Sequence, residues 1–171
     1  MYHQILSSAA AMAAVASLST AAFAQDISAP TGAVILSISG EIATTNVGDT
    51  LQFDLATLSG LGDTIIETST IWTDGVHVFQ GVELATIAAV LGVTEGTFLA
   101  AAINDYTVEI PISDAVEGGA MIAYLMNGEA MSVRDKGPLW VVYPYDSSAE
   151  FRTEIVYSRS IWHLDRIEVV K

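Results

Sequence analysis

The chain has 171 residues with 51% hydrophobic side chains, which is enough for one domain with its own core. Its formal net charge of −14 excludes DNA, RNA and anionic lipid headgroups as expected partners, because the long-range field repels polyanions. The first Lys or Arg is Arg134, so a small anionic ligand is expected to bind the C-terminal quarter.

Residues 1–24 are predicted to be a cleaved export signal. The segment is apolar, rich in Ala and Ser, and ends in Ala22-Phe23-Ala24, which is typical of a signal-peptidase site. A membrane anchor is the alternative, but Leu and Ile are sparse and no stop-transfer charges follow. Since the chain has no cysteine, we expect a bacterial periplasmic protein without disulfides, whose domain is residues 25–171.

The mature chain begins with patterns typical of strands. Alternating Val34, Leu36 and Ile38 predict the first strand, and residues 46–55 predict a turn followed by a short strand. Residues 56–63 predict one helical turn that ends at a glycine.

The middle of the chain combines a hairpin with the clearest helix. Residues 64–75 are rich in Thr and Ile and predict a strand that closes on an Asp-Gly turn, with residues 76–81 as its hairpin partner. Residues 82–93 predict a helix, because apolar residues recur at i, i+3, i+4 and i+7 and a glycine stands at the C-terminal cap.

The remainder of the chain is again rich in predicted strands. Residues 97–111 alternate toward their end and predict one strand, and the Asn-Gly pair at 127–128 predicts a tight hairpin. Apolar residues 138–144 and 161–171 predict the last two strands. Together the patterns predict one strand-rich α+β domain.

The common motifs for catalysis and metal binding are absent from the sequence. His77 and His163 each stand alone in a predicted strand, where a histidine is more often structural than a ligand. No His-x-x-His or EF-hand spacing, no Gly-x-Ser-x-Gly elbow and no Gly-rich phosphate loop occurs. No catalytic residue and no metal site are therefore predicted.

Four segments place a polar or charged group beside an aromatic residue or a turn, at 71–75, 104–106, 134–138 and 158–165. A planar, polar heterocycle needs this combination, since it binds through an aromatic face and through donors and acceptors at its edge. The alternative is that the aromatic residues belong to the core and that residues 134–138 form a solvated turn.

These segments, in this order, resemble the molybdopterin-binding domain of the sulfite oxidase family. The resemblance covers about residues 33–170. Its most specific part runs from Met126-Asn127-Gly128-Glu129 to Arg134, Gly137-Pro138 and Tyr143-Pro144. The resemblance implies a mixed α+β fold with a barrel-like sheet core and a few short helices, in which a pterin cofactor lies in a cleft.

The resemblance also implies ligand-binding roles for eight side chains: Trp72, Asn104, Asp105, Tyr106, Arg134, Lys136, Arg159 and Trp162. The two cations at 134 and 136 are expected to hold a phosphate or an acidic edge of the pterin. The tryptophan at 72 is expected to stack on the ring, and residues 104–106 to bind its edge.

One departure from that family bears on function. Its redox enzymes bind molybdenum through a cysteine, whereas the corresponding residues here are Thr68, Ser69 and Thr70. A hydroxyl is a much poorer metal ligand at neutral pH than a thiolate. Pterin or molybdopterin is therefore an expected cofactor, and molybdenum is not.

The chain most resembles the small, single-domain periplasmic members of the family. Some of these bind reduced pterins and relay that state to a membrane-bound cyclic-di-GMP enzyme. We therefore expect a non-catalytic, sensory pterin-binding domain in the periplasm, with such an enzyme or sensor as partner. Two alternatives stay open, namely a molybdopterin-dependent oxidoreductase and a scaffold that keeps the fold without the ligand.

Overall fold

The computed structural model describes residues 27–171, so the predicted export signal lies outside the described residues. This part of the chain forms ten strands and three α-helices. The strands are β1 (Leu36–Gly40), β2 (Leu51–Phe53), β3 (Thr64–Thr70), β4 (Thr73–Glu83), β5 (Thr97–Ala102), β6 (Thr107–Pro111), β7 (Met121–Met126), β8 (Glu129–Ala130), β9 (Leu139–Val142) and β10 (Trp162–Val170). The helices are α1 (Leu55–Ser59), α2 (Leu84–Leu91) and α3 (Glu154–Arg159).

All ten strands belong to one mixed sheet. Seven of them follow the order β2–β1–β10–β9–β7–β4–β3, while β5 pairs with β10 and β6, and β8 pairs with β7. β10 bonds to β9 through its first half and to β1 through its second half, while β5 runs along its other side. Only the β1–β10 pair is parallel among these strands. The sheet therefore branches and curls into a half-barrel, which confirms the predicted strand-rich α+β fold.

The core fills the inside of this curled sheet, and helix α2 closes one side of it. Leu84, Ile87, Ala88 and Leu91 form the buried stripe that the sequence spacing predicts. The helix ends at Gly92, whose φ of 70° is the left-handed conformation that glycine adopts without strain. No helix in the described part of the chain is long and apolar enough to cross a membrane.

Helix α1 is fixed by a capping box. The Asp54 carboxylate accepts the Thr57 backbone N–H at 2.8 Å and the Thr57 hydroxyl at 2.7 Å, and the Thr57 hydroxyl oxygen accepts the Asp54 N–H at 3.0 Å. The Asp54 carboxylate also accepts the backbone N–H groups of Thr31 and Gly32. One carboxylate thus ties the helix to the segment that leads into β1.

The turn between β3 and β4 is displaced from its predicted position. It lies at Ile71 and Trp72, whereas Asp74 and Gly75 are the two extra residues of a bulge inside β4. Gly75 has a φ of 79°, a left-handed conformation that glycine adopts in one class of bulge as well as in tight turns. The Asp-Gly signal was therefore correct about the backbone conformation and wrong about where the chain reverses.

Two other elements differ from the sequence prediction. Residues 97–111 form the β5–β6 hairpin, not one strand, because Asp105 adopts a φ of 66° and the chain reverses there. Helix α3 was not predicted, since six residues are too few for a helical period to appear. Its N-cap is Thr153, whose hydroxyl oxygen accepts the Val156 N–H at 3.3 Å.

The capping carboxylate gives stability a defined pH dependence. Hydrogen bonds from the Thr57 and Gly32 backbone N–H groups lower the pKa of Asp54 to about 2. Because this is below the pKa of an unfolded chain, the carboxylate stabilises the fold above about pH 4, and this contribution is lost as the pH falls toward 2. We expect Asp54→Ala to lower the melting temperature at neutral pH, and this deficit to shrink on acidification, as followed by circular dichroism.

Asp49→Ala is the control, because Asp49 is exposed. It should change the melting temperature little at either pH. A deficit for Asp54→Ala that is the same at neutral pH and near pH 2 would contradict the assignment.

Candidate functional site

A cavity of about 360 Å³ opens where three segments meet: the β3–β4 turn, the β5–β6 turn and the junction of α3 with β10. This volume lies within the range of small-molecule pockets, about 300–1,000 Å³. The lining residues are Trp72, Ala102, Asn104, Tyr106, Tyr157, Ser158, Ser160, Ile161, Trp162 and His163.

One side of the cavity is an aromatic wall. The centroid of the Trp72 ring lies 5.7 Å from that of Tyr157 and 5.6 Å from that of Trp162, in edge-to-face geometry. Behind it, the fully buried Trp140 contacts both tryptophans edge-on. Such contacts are favourable and directional, so they fix the orientation of the Trp72 ring at the end of a tight turn.

The β5–β6 turn supplies a polar rim. The Asn104 side-chain oxygen accepts the Tyr106 backbone N–H at 3.3 Å, and its amide nitrogen makes no hydrogen bond to the described residues. Asp105, between them, is ion-paired with Arg166. The pair anchors the turn from outside, so Asp105 supports the cavity without lining it.

His163 lies in a bulge of β10 beside the cavity. Trp162 pairs with Trp140 and Leu164 pairs with Leu139, which are adjacent in β9. His163 is therefore an extra residue of β10 at this point. His163 has a φ of 55°, which is uncommon for any residue other than glycine and is strained inside a strand. A bulge of this kind alters the local path of a strand, and here it places His163 among the residues that line the cavity.

Three hydrogen bonds hold His163 in this conformation. Its N–H donates to the Lys136 carbonyl at 3.1 Å, its carbonyl accepts the Ile103 N–H at 3.0 Å, and its Nε2 lies 2.8 Å from the Asp135 carbonyl oxygen. Since a carbonyl can only accept, Nε2 carries the proton and donates. In the neutral imidazole Nδ1 is then an acceptor.

The basic turn at 134–137 therefore positions the histidine. Lys136 is largely buried, and its Nζ lies 5.5 Å from the Trp162 ring centroid and 5.6 Å from that of Trp140. Arg134 is exposed and forms no ion pair with the described residues. Gly137 is required because a Cβ there would lie 1.8 Å from the Met131 carbonyl oxygen.

Arg159 forms a structural ion pair with Asp114. Its guanidinium donates to both carboxylate oxygens of Asp114, at 2.9 and 3.2 Å, and the Tyr143 hydroxyl donates to the same carboxylate at 2.8 Å. Burial, together with the nearby Asp114 charge, raises the pKa of Tyr143. This ion pair ties α3 to the turn after β6, and Arg159 does not line the cavity.

The hydroxyls of Thr68, Ser69 and Thr70, at the end of β3, are all engaged in hydrogen bonds. The buried Thr68 hydroxyl donates to the Ser69 carbonyl and accepts the Asp146 N–H. The Ser69 hydroxyl and N–H both donate to the Asp146 carboxylate, at 2.8 and 2.6 Å. Thr70 shares a hydrogen bond with Thr73 at 2.8 Å. These interactions hold the end of β3 in place.

A second, smaller cavity of about 200 Å³ lies at this strand end and contains Asp146 and Arg152. Tyr157 lines both cavities and separates them. Among residues 27–171 no group of three or more His, Cys, Asp or Glu side chains could hold a metal ion.

The structure brings four of the eight predicted residues together in the lining: Trp72, Asn104, Tyr106 and Trp162. Lys136 lies directly behind the lining, and Asp105 anchors it from outside. Arg134 and Arg159 are not part of the lining. Sequence reasoning missed Tyr157, on the unpredicted helix, and His163, because a bulge has no sequence signal of its own.

The strained conformation at His163 can be tested by stability. Val and Asn substitutions both remove the imidazole, but a β-branched side chain opposes a φ near 55°, whereas asparagine tolerates it. We expect His163→Val to be less stable than His163→Asn by about 1–2 kcal/mol in urea unfolding.

The same pair of substitutions at Glu168 is the control, because this exposed residue of β10 pairs regularly with both neighbouring strands and has no positive φ. There valine should be tolerated at least as well as asparagine. Equal stability of the two His163 variants would contradict the strained bulge.

Comparison with known proteins identifies the family. The oxidoreductase molybdopterin binding domain matches residues 63–170, more than half of the chain, and no curated protein matches it. The matched span contains the whole cavity lining and the basic turn. The curled sheet with three short helices is consistent with the sulfite-oxidase-type molybdopterin-binding fold. The chain therefore belongs to the oxidoreductase molybdopterin-binding domain family, as the sequence resemblance predicts.

Proposed function

We propose that this chain is an exported periplasmic domain that binds a pterin, does not catalyse oxo transfer, and relays its ligand state to a membrane signalling partner. One combination of features carries the proposal. An aromatic cavity of ligand size is present, while the position of the family's metal ligand holds hydroxyls that are all engaged in structural hydrogen bonds.

The cavity fits a planar, polar bicycle. Trp72 and Trp162 offer large aromatic surfaces, and Asn104 and His163, which line the same cavity, carry an amide and an imidazole able to donate and accept hydrogen bonds. A pterin has both features, since its faces are aromatic and its edge alternates N–H donors with ring-nitrogen and carbonyl acceptors. The residues present therefore suit the ring of the family's cofactor.

The basic turn suits an anionic substituent on that ring. Lys136 places its ammonium beside Trp162, which lines the cavity, and Arg134 lies on the same turn. An Arg guanidinium binds phosphate through two parallel hydrogen bonds. We therefore assign the phosphate of a molybdopterin-like ligand to this side of the cavity.

The residues do not fit molybdenum bound in the family's manner. No thiolate exists in the chain, and Thr68, Ser69 and Thr70 would each have to give up a structural hydrogen bond to bind a metal. A hydroxyl also ionises far less readily than a thiol. These points support pterin binding without oxo transfer.

The sensory role and the partner rest on sequence. The predicted export signal and the likeness to small periplasmic members support a location outside the cytoplasm and a membrane-bound cyclic-di-GMP enzyme or sensor as partner. Ligand binding next to the β3–β4 turn would change the surface that such a partner meets, since Ile71 in that turn is exposed while Trp72 faces the cavity.

Pterin binding is tested directly by titration. Oxidised and tetrahydro forms of pterin should quench tryptophan fluorescence, because two of the three tryptophans line the cavity. Asn104→Ala removes one hydrogen-bonding group, so we expect about fivefold weaker binding by calorimetry. Arg134→Ala should weaken binding of a phosphorylated pterin more than that of the parent pterin.

Arg152→Ala is the matched control, because this exposed arginine lines only the second cavity. It should leave both affinities unchanged. If no pterin binds in either oxidation state, the proposal is wrong, and co-purification of a membrane partner would then favour a scaffold. Molybdenum near one atom per chain in protein from its native periplasm would instead favour an oxidoreductase.

A further inference from the structure

The β3–β4 hairpin extends beyond the rest of the sheet. β4 pairs with β7 only from Phe79 to Glu83, so the outer residues 67–78, here named the β3–β4 arm, form a two-stranded ribbon. Asn127 braces the base of the arm, where its side-chain oxygen accepts the Val78 N–H at 3.0 Å and its own N–H donates to the Val78 carbonyl at 2.7 Å. A ribbon of two strands is marginally stable without further packing.

The outer face of the β3–β4 hairpin exposes three neighbouring apolar side chains. Ile65, on β3, is 64% exposed, and Val76 and Val78, on β4, are also exposed. The register places Glu67 opposite Val78 on this same face. Single exposed apolar residues are ordinary, but neighbouring β-branched residues on one face of a ribbon mark an interaction surface.

The outer edge of β3 has unpaired backbone groups. β3 is the last strand of the sheet, with β4 as its neighbour. The Ser69 N–H points away from β4, since it donates to the Asp146 carboxylate. Because N–H and C=O directions alternate with period two, those of Ile65 and Glu67 point outward as well. Asp146 thus ends the open edge at Ser69 and leaves the Ile65 and Glu67 groups available.

We propose that the open edge of β3 binds an extended segment of a partner protein as an added strand. This segment carries an apolar residue opposite Ile65 and a Lys or Arg opposite Glu67, two positions apart on one face. The backbone of Ile65 and Glu67 supplies the main-chain hydrogen bonds, and the apolar outer face supplies the side-chain contacts.

Charge selects this occupant over a second copy of the chain. The nearby exposed acids Asp63, Glu67 and Asp74 face no Lys or Arg of the hairpin, because the first base of the chain is Arg134. Antiparallel pairing of two β3 edges centred on Glu67 would set that carboxylate against its copy, which is destabilising. Each copy also carries a net charge of −14. A basic partner segment avoids both the pairing of two Glu67 carboxylates and the repulsion between two negatively charged chains.

The open edge of β3 and the cavity lie on the same hairpin, β3–β4. Trp72, which ends the arm, lines the cavity, while the open edge lies further along the same hairpin. The added strand therefore goes beyond the proposed pterin binding and does not require it. It is tested on ligand-free protein, so failure of one proposal is distinguishable from failure of the other.

The test uses a blocked peptide that contains Val-Thr-Lys-Thr-Val and a matched peptide with Glu in place of Lys. We expect the Lys peptide to slow amide hydrogen exchange at Ile65 and Glu67, measured by NMR, with little change at Ile66 and Thr68, which already pair with β4. The Glu peptide should bind at least about fivefold more weakly at low ionic strength. Glu67→Lys should reverse this preference.

Two further variants complete the test. Ile65→Pro removes an outward N–H without touching the bonds to β4, and it should abolish protection while the fold is retained. Ile65→Ser should weaken binding, whereas Ile155→Ser should not, because Ile155 is similarly exposed, at 61%, on helix α3. Unchanged exchange with both peptides, equal binding of both, or a dimer that Ile65→Ser dissociates would overturn the proposal.

Discussion

Strand β10 has to pair with three neighbours at once, and the shape of the molecule depends on how it does so. Its first half bonds to β9, its second half to β1, and its other side to β5. The bulge at His163 lets one strand serve these partners and curls the sheet. The same bulge brings His163 to the cavity, so the feature that closes the core also builds the candidate site.

The basic turn at 134–137 stabilises the bulge at His163. Two of its backbone carbonyls accept hydrogen bonds from His163, and the Lys136 ammonium lies over two tryptophans. In a chain with 20 acids and six bases, that placement puts positive charge behind an aromatic wall. The turn therefore supports the wall by packing and is at the same time suited to an anionic ligand.

Beside this site, the hydroxyls of Thr68, Ser69 and Thr70 are engaged in structural hydrogen bonds. The end of β3 is fixed by Asp146, which also terminates the open edge of that strand. The β3–β4 arm thus carries Trp72 into the cavity at its turn and presents an acidic, apolar edge to solvent. The candidate ligand site and the proposed interaction surface therefore lie on one hairpin.

Local pattern was sufficient for much of the fold. Period-two alternation and the spacing in residues 82–93 predict most strands and helix α2, because burial of one face imposes those periods. The residue types alone also showed that the chain has no thiolate, and they predicted Trp72, Asn104, Tyr106 and Trp162, which line the cavity. Tertiary structure alone decided the rest: Arg159 is engaged by Asp114, and His163 reaches the cavity through a bulge. Both outcomes depend on contacts between residues distant in sequence, which no local period encodes.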